Sequence, residues 1–142
     1  MELNAITAGI KLLGTTIKDL QIENNIVDIE REEQRKFGIN INEPKLNKEE
    51  DVLYAQILID LKIEVHQSDK RACKIQLTLE GAFASNGTVS EERFKELVAI
   101  NGVAALIGIA RGKIENISAS VLNNGKIVIP FVNIIDYYKS LE

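Results

Sequence analysis

A single histidine, His66, and a single cysteine, Cys73, are the side chains best suited to proton transfer, nucleophilic attack or metal ligation in this sequence. A histidine base needs a group to orient it, and a cysteine nucleophile needs an adjacent base. Neither has such company here. His66 falls on the polar side of an alternating run, the usual place of a surface histidine. Cys73 falls in step with apolar residues, where cysteine acts as a small hydrophobe. No spacing of histidine, cysteine and carboxylate suits a metal ion, and no glycine-rich loop follows a strand to cradle phosphate. "GIARG" at 108–112 is too degenerate for a dinucleotide loop and does not follow a strand. The carboxylates sit mostly on solvated faces. The expectation is a protein that binds rather than catalyses, with no metal and no cofactor.

The composition fits that expectation. The chain has 142 residues, 45% hydrophobic and 27% charged, the size and content of one globular domain spanning 1–142. Its net charge is −4 with both signs mixed, which argues against nucleic acid, since phosphate needs a basic face. A lone cysteine forms no intrachain disulfide and suits a reducing compartment. "MELNAITAGIKLLGTTIKDLQ" lacks the basic start and apolar core of a signal peptide. No run approaches the roughly 18 apolar residues of a membrane span. A cytoplasmic location is expected.

Periodicity then gives the elements. In "VLYAQILIDLKIEV" apolar residues recur at every second position from Leu53 to Val65, and Cys73, Ile75, Leu77, Leu79 and Phe83 repeat the pattern after "QSDKR". Two such runs with a short polar link predict a long antiparallel hairpin. "KFGININ" alternates more briefly, with Phe37, Ile39 and Ile41 on one face. "GIKLLGTTIKDLQIEN" reads as a strand without a clean period. "IEREEQRK" is open between an exposed edge strand and a short helix, and "NEPKLNKEED" reads as a loop. After residue 88 the period lengthens. Ser90 is a candidate N-cap ahead of two glutamates. "NG" at 101–102 ends or kinks that helix. Val103, Ile107, Ala110, Ile114, Ile117 and Val121 then form one seam of a long helix, closed by a left-handed cap at "NNG" (123–125). "KIVIPFVN" is extended and "IIDYYKSL" is a short final helix. Strands first and helices after give an α+β fold.

Inside the long helix, "AALIGIARG" carries two glycines, each costing about 1 kcal/mol relative to alanine. Ala104, Gly108 and Gly112 make a strip of small side chains along which another backbone can come close. Two readings stay open: the strip packs on the protein's own sheet, or on a helix of another subunit.

Taken in order, these segments resemble the SecB family of protein-export chaperones over most of the chain. "TIKDLQIEN" is similar to the family's first strand, the 53–83 hairpin ends in a similar "EGAF", and "ALIGIARGKIENI" and "GKIVIPFVNIIDYYKSL" resemble its long helix and final segments. The resemblance implies a four-stranded antiparallel sheet packed by a long and a short helix. It also implies a homotetramer, a dimer of dimers with the long helices at the subunit interface. The implied activity is ATP-independent holding of unfolded or precursor polypeptides in an apolar groove, here Phe37, Ile39, Ile41, Ile109 and Phe131. Docking to the SecA motor is implied only in part. Asp19 and Glu23 match the family's acidic pair, but Lys74 and Gln76 stand where an apolar and an acidic residue are expected, and no acidic tail precedes the end at Glu142. The Cys-Pro before the long helix is absent, and Gly108 and Ile109 replace a proline and a tyrosine. A dedicated adaptor for one client, as in toxin–antitoxin systems, is the alternative.

Overall fold

The computed structural model describes residues 9–30 and 33–142. The predicted hairpin is its centre: β4 (Val52–Ser68) and β5 (Arg71–Ser85), joined at Asp69–Lys70. Ile59 lies opposite Leu79, Leu61 opposite Leu77 and Ile63 opposite Ile75. The two alternating rows therefore merge into one apolar face, and all six of these residues are buried. β1 (Ile10–Asn24) pairs antiparallel with β5 and forms one edge. β2 (Gln34–Ile41) pairs antiparallel with β4 on the other side.

The sheet has five strands rather than the four expected, because "NEPKLNKEED" is not all loop. Its Lys45–Glu49 segment forms β3, paired with β4 from Gln56 to Val52. β2 and β3 follow one another along the same edge of β4, so five strands fill four positions. Asn42 makes the break. Its backbone N–H donates to the Leu58 carbonyl at 3.0 Å, and its side chain donates to the Asp60 carboxylate at 3.1 Å. Pro44, which has no N–H to give a ladder, sits in the gap. β3 escaped detection because every one of its residues is exposed, which leaves no alternation to read. Short, lysine-bearing strands of this kind are typical edge protection.

One helical run covers the apolar face. α1 (Glu91–Leu97) starts at Ser90, whose hydroxyl accepts the Arg93 N–H at 3.1 Å. "NG" at 101–102 does not end the run. The chain passes through a π turn at Val98–Gly102 and continues as α2 (Val103–Val121). Two glycines set how closely this run approaches. A Cβ on Gly81 of β5 would stand 2.4 Å from Leu106 Cδ2, and one on Gly102 would stand 3.1 Å from the Phe83 ring. The long run Glu91–Val121 is, against expectation, long and apolar enough to cross a membrane. Here its apolar side, with Phe94, Leu97, Val98, Val103, Leu106, Ala110 and Ile114, is buried in the core.

The helix ends differently from the expected left-handed cap. Leu122 is extended (φ −89°, ψ 146°), and the positive φ of 98° falls three residues later at Gly125. Ser118 Oγ then accepts the Ile127 N–H at 2.7 Å and turns the chain back across the core. Ile127 and Ile129 are buried there, and Asn133 caps α3 (Ile134–Ser140). Tyr137 Oη accepts the Ile41 N–H at 2.9 Å, and Tyr138 Oη donates to the Ala99 carbonyl at 3.1 Å, so α3 ties β2 to the π turn.

The segment after β1 crosses to the far edge past the hairpin turn. Ile26 is buried beneath it, and Asn25 bonds both the Lys70 carbonyl (2.6 Å) and the Ala72 N–H (2.7 Å). Of the stretch left open between edge strand and helix, Gln34–Lys36 belong to β2, while residues 31–32 lie outside the described residues, as do 1–8.

Two stability tests follow from this packing. Gly81→Ala should cost about 1–3 kcal/mol in urea unfolding, because Leu106 must leave its place. Gly38→Ala, on exposed β2, should stay within about 0.5 kcal/mol. The second concerns Asp60. Desolvation acts to raise its pKa, but hydrogen bonds from Thr78, Asn42 and Asn40 and the charge of Lys62 outweigh it and hold the carboxyl below its ordinary value. Its contribution is full above the unfolded value of about 3.9 and is lost as pH falls through the lower folded value. Asp60→Asn should therefore flatten the acid limb of a stability-versus-pH curve.

Candidate functional site

The outer face of the sheet is a charge lattice. Lys36 of β2, Glu64 of β4, Lys74 of β5 and Glu23 of β1 lie opposite one another in a single row across four strands, with signs alternating. Opposite charges directly across from each other are the favourable arrangement. A hydrogen bond from His66, 3.1 Å away, comes first in holding the Glu64 carboxyl below its usual range, with Lys74 and Lys36 adding their charge. Asp19, opposite Thr78, accepts a hydrogen bond from Gln21 at 3.0 Å. The expected acidic pair is thus exposed on one face, with Lys74 at a register position between Glu64 and Glu23.

The other face of β1 was not anticipated. Leu12, Ile17, Leu20 and Ile22 stand opposite Phe83, Leu79, Leu77 and Ile75, on the same side as the helices. Their β5 partners are buried, yet these four remain 38–41% exposed. Register shifts between Leu12 and Gly14 and between Ile17 and Asp19 explain why no clean period was legible. Each bulge inserts one residue and moves the alternation by one position. Beyond this stripe lies the backbone edge of the sheet, which no other described strand pairs.

On α2, Ala104, Gly108 and Gly112 point away from the sheet. All three are exposed, and a Cβ at either glycine would meet nothing within 4 Å. The strip does not pack on the protein's own sheet, which removes one of the two readings. Arg111, between the glycines, donates from Nε to the Ile129 carbonyl (3.0 Å) and from Nη2 to the Pro130 carbonyl (3.2 Å). Its guanidinium lies 4.5 Å from the centroid of the Phe131 ring. One arginine therefore fastens the returning segment to α2 and props up an aromatic ring that is 92% exposed.

The remaining groove candidates separate. Phe37, Ile39 and Ile41 share the helix side of β2, opposite Ile63, Leu61 and Ile59. Phe37 is 38% exposed and Ile39 is half-buried, but Ile41 is 8% exposed and belongs to the core. Tyr137 bonds to its backbone, which takes Ile41 out of any surface groove of this chain. Ile109 is half-buried against the core. A shallow recess at the β3 end, lined by Leu46, Leu53, Tyr54 and Phe94, adds apolar surface that the sequence did not reveal. Cys73 is buried, and burial raises its thiol pKa, which disfavours the reactive thiolate. Among the described residues no three metal-ligating side chains gather.

No family model matches the sequence, and no curated protein matches it either. Solved structures do. The SecB-like chaperone Rv1957 of Mycobacterium tuberculosis, in complex with a ChAD peptide from the Rv1956 HigA1 antitoxin, is similar with a TM-score of 0.59 and 12% identity, over 89% of this chain and 92% of that one. A Streptococcus agalactiae protein of unknown function is similar with a TM-score of 0.49 and 11% identity, over 86% of this chain and 97% of that one. The first likeness makes the fold SecB-like.

Arg111→Lys should not preserve the clamp, because an ammonium cannot span two carbonyls and cover a ring at once. Both Arg111→Lys and Arg111→Ala should speed hydrogen exchange at 127–132. Arg111→Ala should also cost about 1–3 kcal/mol, the range for hydrogen bonds to a charged group.

Proposed function

We propose that this protein is a SecB-like chaperone that holds extended, apolar stretches of polypeptide without ATP and without a catalytic step. The observation that carries the reading is Phe131, an almost wholly exposed aromatic ring held in place by Arg111 on a SecB-like scaffold. A ring fixed in advance loses little entropy on binding. Covering an anchor of this size is worth about 1.5–3 kcal/mol, whatever the client's sequence. Phe37, Ile39 and Ile109 extend the apolar surface.

Self-assembly belongs to the same proposal. Among the described residues nothing covers the apolar stripe of β1, and nothing neighbours the smooth helix face of Ala104, Gly108 and Gly112. Each is what the other lacks, so a second copy can cover β1 with its α2. A dimer built this way, doubled, gives the tetramer that the family resemblance implies. A dedicated single-client role is the second reading. It is favoured by the SecB-like Rv1957, which was solved holding an antitoxin peptide. Export through a SecA-type motor, in the cytoplasm, is the weaker branch, because Lys74 and Gln76 stand where an apolar and an acidic residue are expected.

Aggregation assays divide the first two readings. Several-fold excess of protein should suppress aggregation of several unrelated denatured clients without ATP, and Phe37→Ser with Phe131→Ser should weaken client affinity at least about a hundredfold, since two lost anchors amount to about 3–6 kcal/mol. No suppression of any client would leave the single-client reading. Gly108→Leu should lower the mass measured by light scattering, and a wild-type monomer at micromolar concentration would refute assembly. Binding to a SecA-type motor should be weak or absent at low salt and should strengthen in the Lys74→Leu, Gln76→Glu variant. Sub-micromolar binding by the unmodified protein would restore the export role.

A further inference from the structure

The chain contains three Asn–Gly pairs, Asn86–Gly87, Asn101–Gly102 and Asn124–Gly125. This dipeptide can rearrange by itself. The glycine backbone nitrogen, giving its proton to solvent, attacks the asparagine Cγ. A C–N bond forms, the side-chain amide leaves as ammonia, and a five-membered succinimide results. Water then opens the ring at one carbonyl or the other to leave aspartate or isoaspartate. No electrons are transferred, and water is the only co-reactant. Glycine permits the step because no Cβ obstructs ring closure and its backbone reaches conformations closed to other residues. The remaining requirement is a backbone free to bring the nitrogen to Cγ.

We infer that the fold sorts these three pairs, making Asn86 and Asn124 sites of spontaneous deamidation and protecting Asn101. Asn86 and Gly87 are both exposed in the corner between β5 and α1, Gly87 has a φ of 82°, and a Cβ there would meet nothing within 4 Å. Asn124 and Gly125 are exposed in the turn after α2, with Gly125 at a φ of 98°; a Cβ there would stand 3.2 Å from Ile29, so this pair differs from Asn101 by its non-helical backbone and not by looser packing. Asn101 is exposed too, so exposure does not distinguish it. It lies inside the π turn, and Gly102 is buried with helical angles (φ −64°, ψ −48°) against Phe83. Helical backbone points the Gly102 nitrogen along the axis, away from the Asn101 side chain, and the packing prevents it from turning.

Each conversion makes the chain one charge more negative than its present −4. At Asn124 the new carboxylate stands across a bridge from Asp28, beside Asn123, whose amide donates to the Asp28 carboxylate at 3.1 Å. Like charges in that position repel. The isoaspartate form also lengthens the backbone by one carbon where the Asn124 carbonyl accepts the Ile29 N–H. Ageing at this site therefore loosens the crossover segment after β1.

Trypsin places each pair on its own peptide, 75–93, 96–111 and 114–126, so one digest reports all three. The folded protein is held in warm, mildly alkaline buffer, and each peptide is followed for a gain of about 1 Da and for isoaspartate. The same incubation in concentrated urea supplies the unfolded rates. The expected result is conversion of Asn86 and Asn124 at least about tenfold faster than Asn101 in the folded protein, with the three rates converging in urea. Conversion of Asn86 or Asn124 no faster than Asn101 in the folded protein would overturn the inference.

Discussion

A single helical run settles onto a β-hairpin because two glycines leave room for it. At Gly81 the Leu106 side chain occupies the volume a Cβ would need, and at Gly102 the Phe83 ring lies against bare backbone. This close seat buries the alternating rows of β4 and β5 and fixes where the rest of the chain can go. Ile127, Ile129 and α3 close over the β2 side, held by Ser118 and by the two tyrosine hydroxyls. Among the described residues nothing comparable closes over β1. The sheet is wider than the layer that the described residues lay on it.

The surface follows from that shortfall. A stripe of four large aliphatic residues on an edge strand is costly to leave in water, at roughly 25 cal/mol per Å². The same chain carries a helix face stripped of side-chain bulk at Gly108 and Gly112, each glycine weakening the helix on its own. Monomeric proteins seldom leave a large contiguous apolar patch uncovered. The outer sheet face behaves in the opposite way. Its charges are matched across strands from Lys36 to Glu23, so it lacks the unbalanced field that steers a charged partner. Apolar surface, more than unbalanced charge, is what β1 and the outer side of α2 present.

What was legible in the sequence was whatever one strong period controlled. The hairpin and the helix from Ser90 onward stood out because a single face of each is buried over many residues. β1 was recognised as a strand, but its apolar side was hidden by two bulges that shift the alternation after Leu12 and again after Ile17. β3 was invisible because none of its residues is buried. Ile41 alternated correctly with Phe37, yet only the tertiary position of α3 shows that one is core and the other surface. Arg111 was noticed between its glycines, but its partners lie 18 and 19 residues further along the chain, beyond the reach of local pattern.

The central claim is that β1 and the outer side of α2 are completed by another polypeptide, in the first instance a second copy. Hydrogen exchange at the β1 amides, measured over a range of protein concentrations, tests it most directly. Amides of β1 that point away from β5 meet no other strand among the described residues, so a rise of protection there with protein concentration reports a second copy. The account requires that amide protection from Leu12 to Ile22 rise with concentration. Fast, concentration-independent exchange along this edge, in a protein whose β4 and β5 amides stay protected, would contradict it.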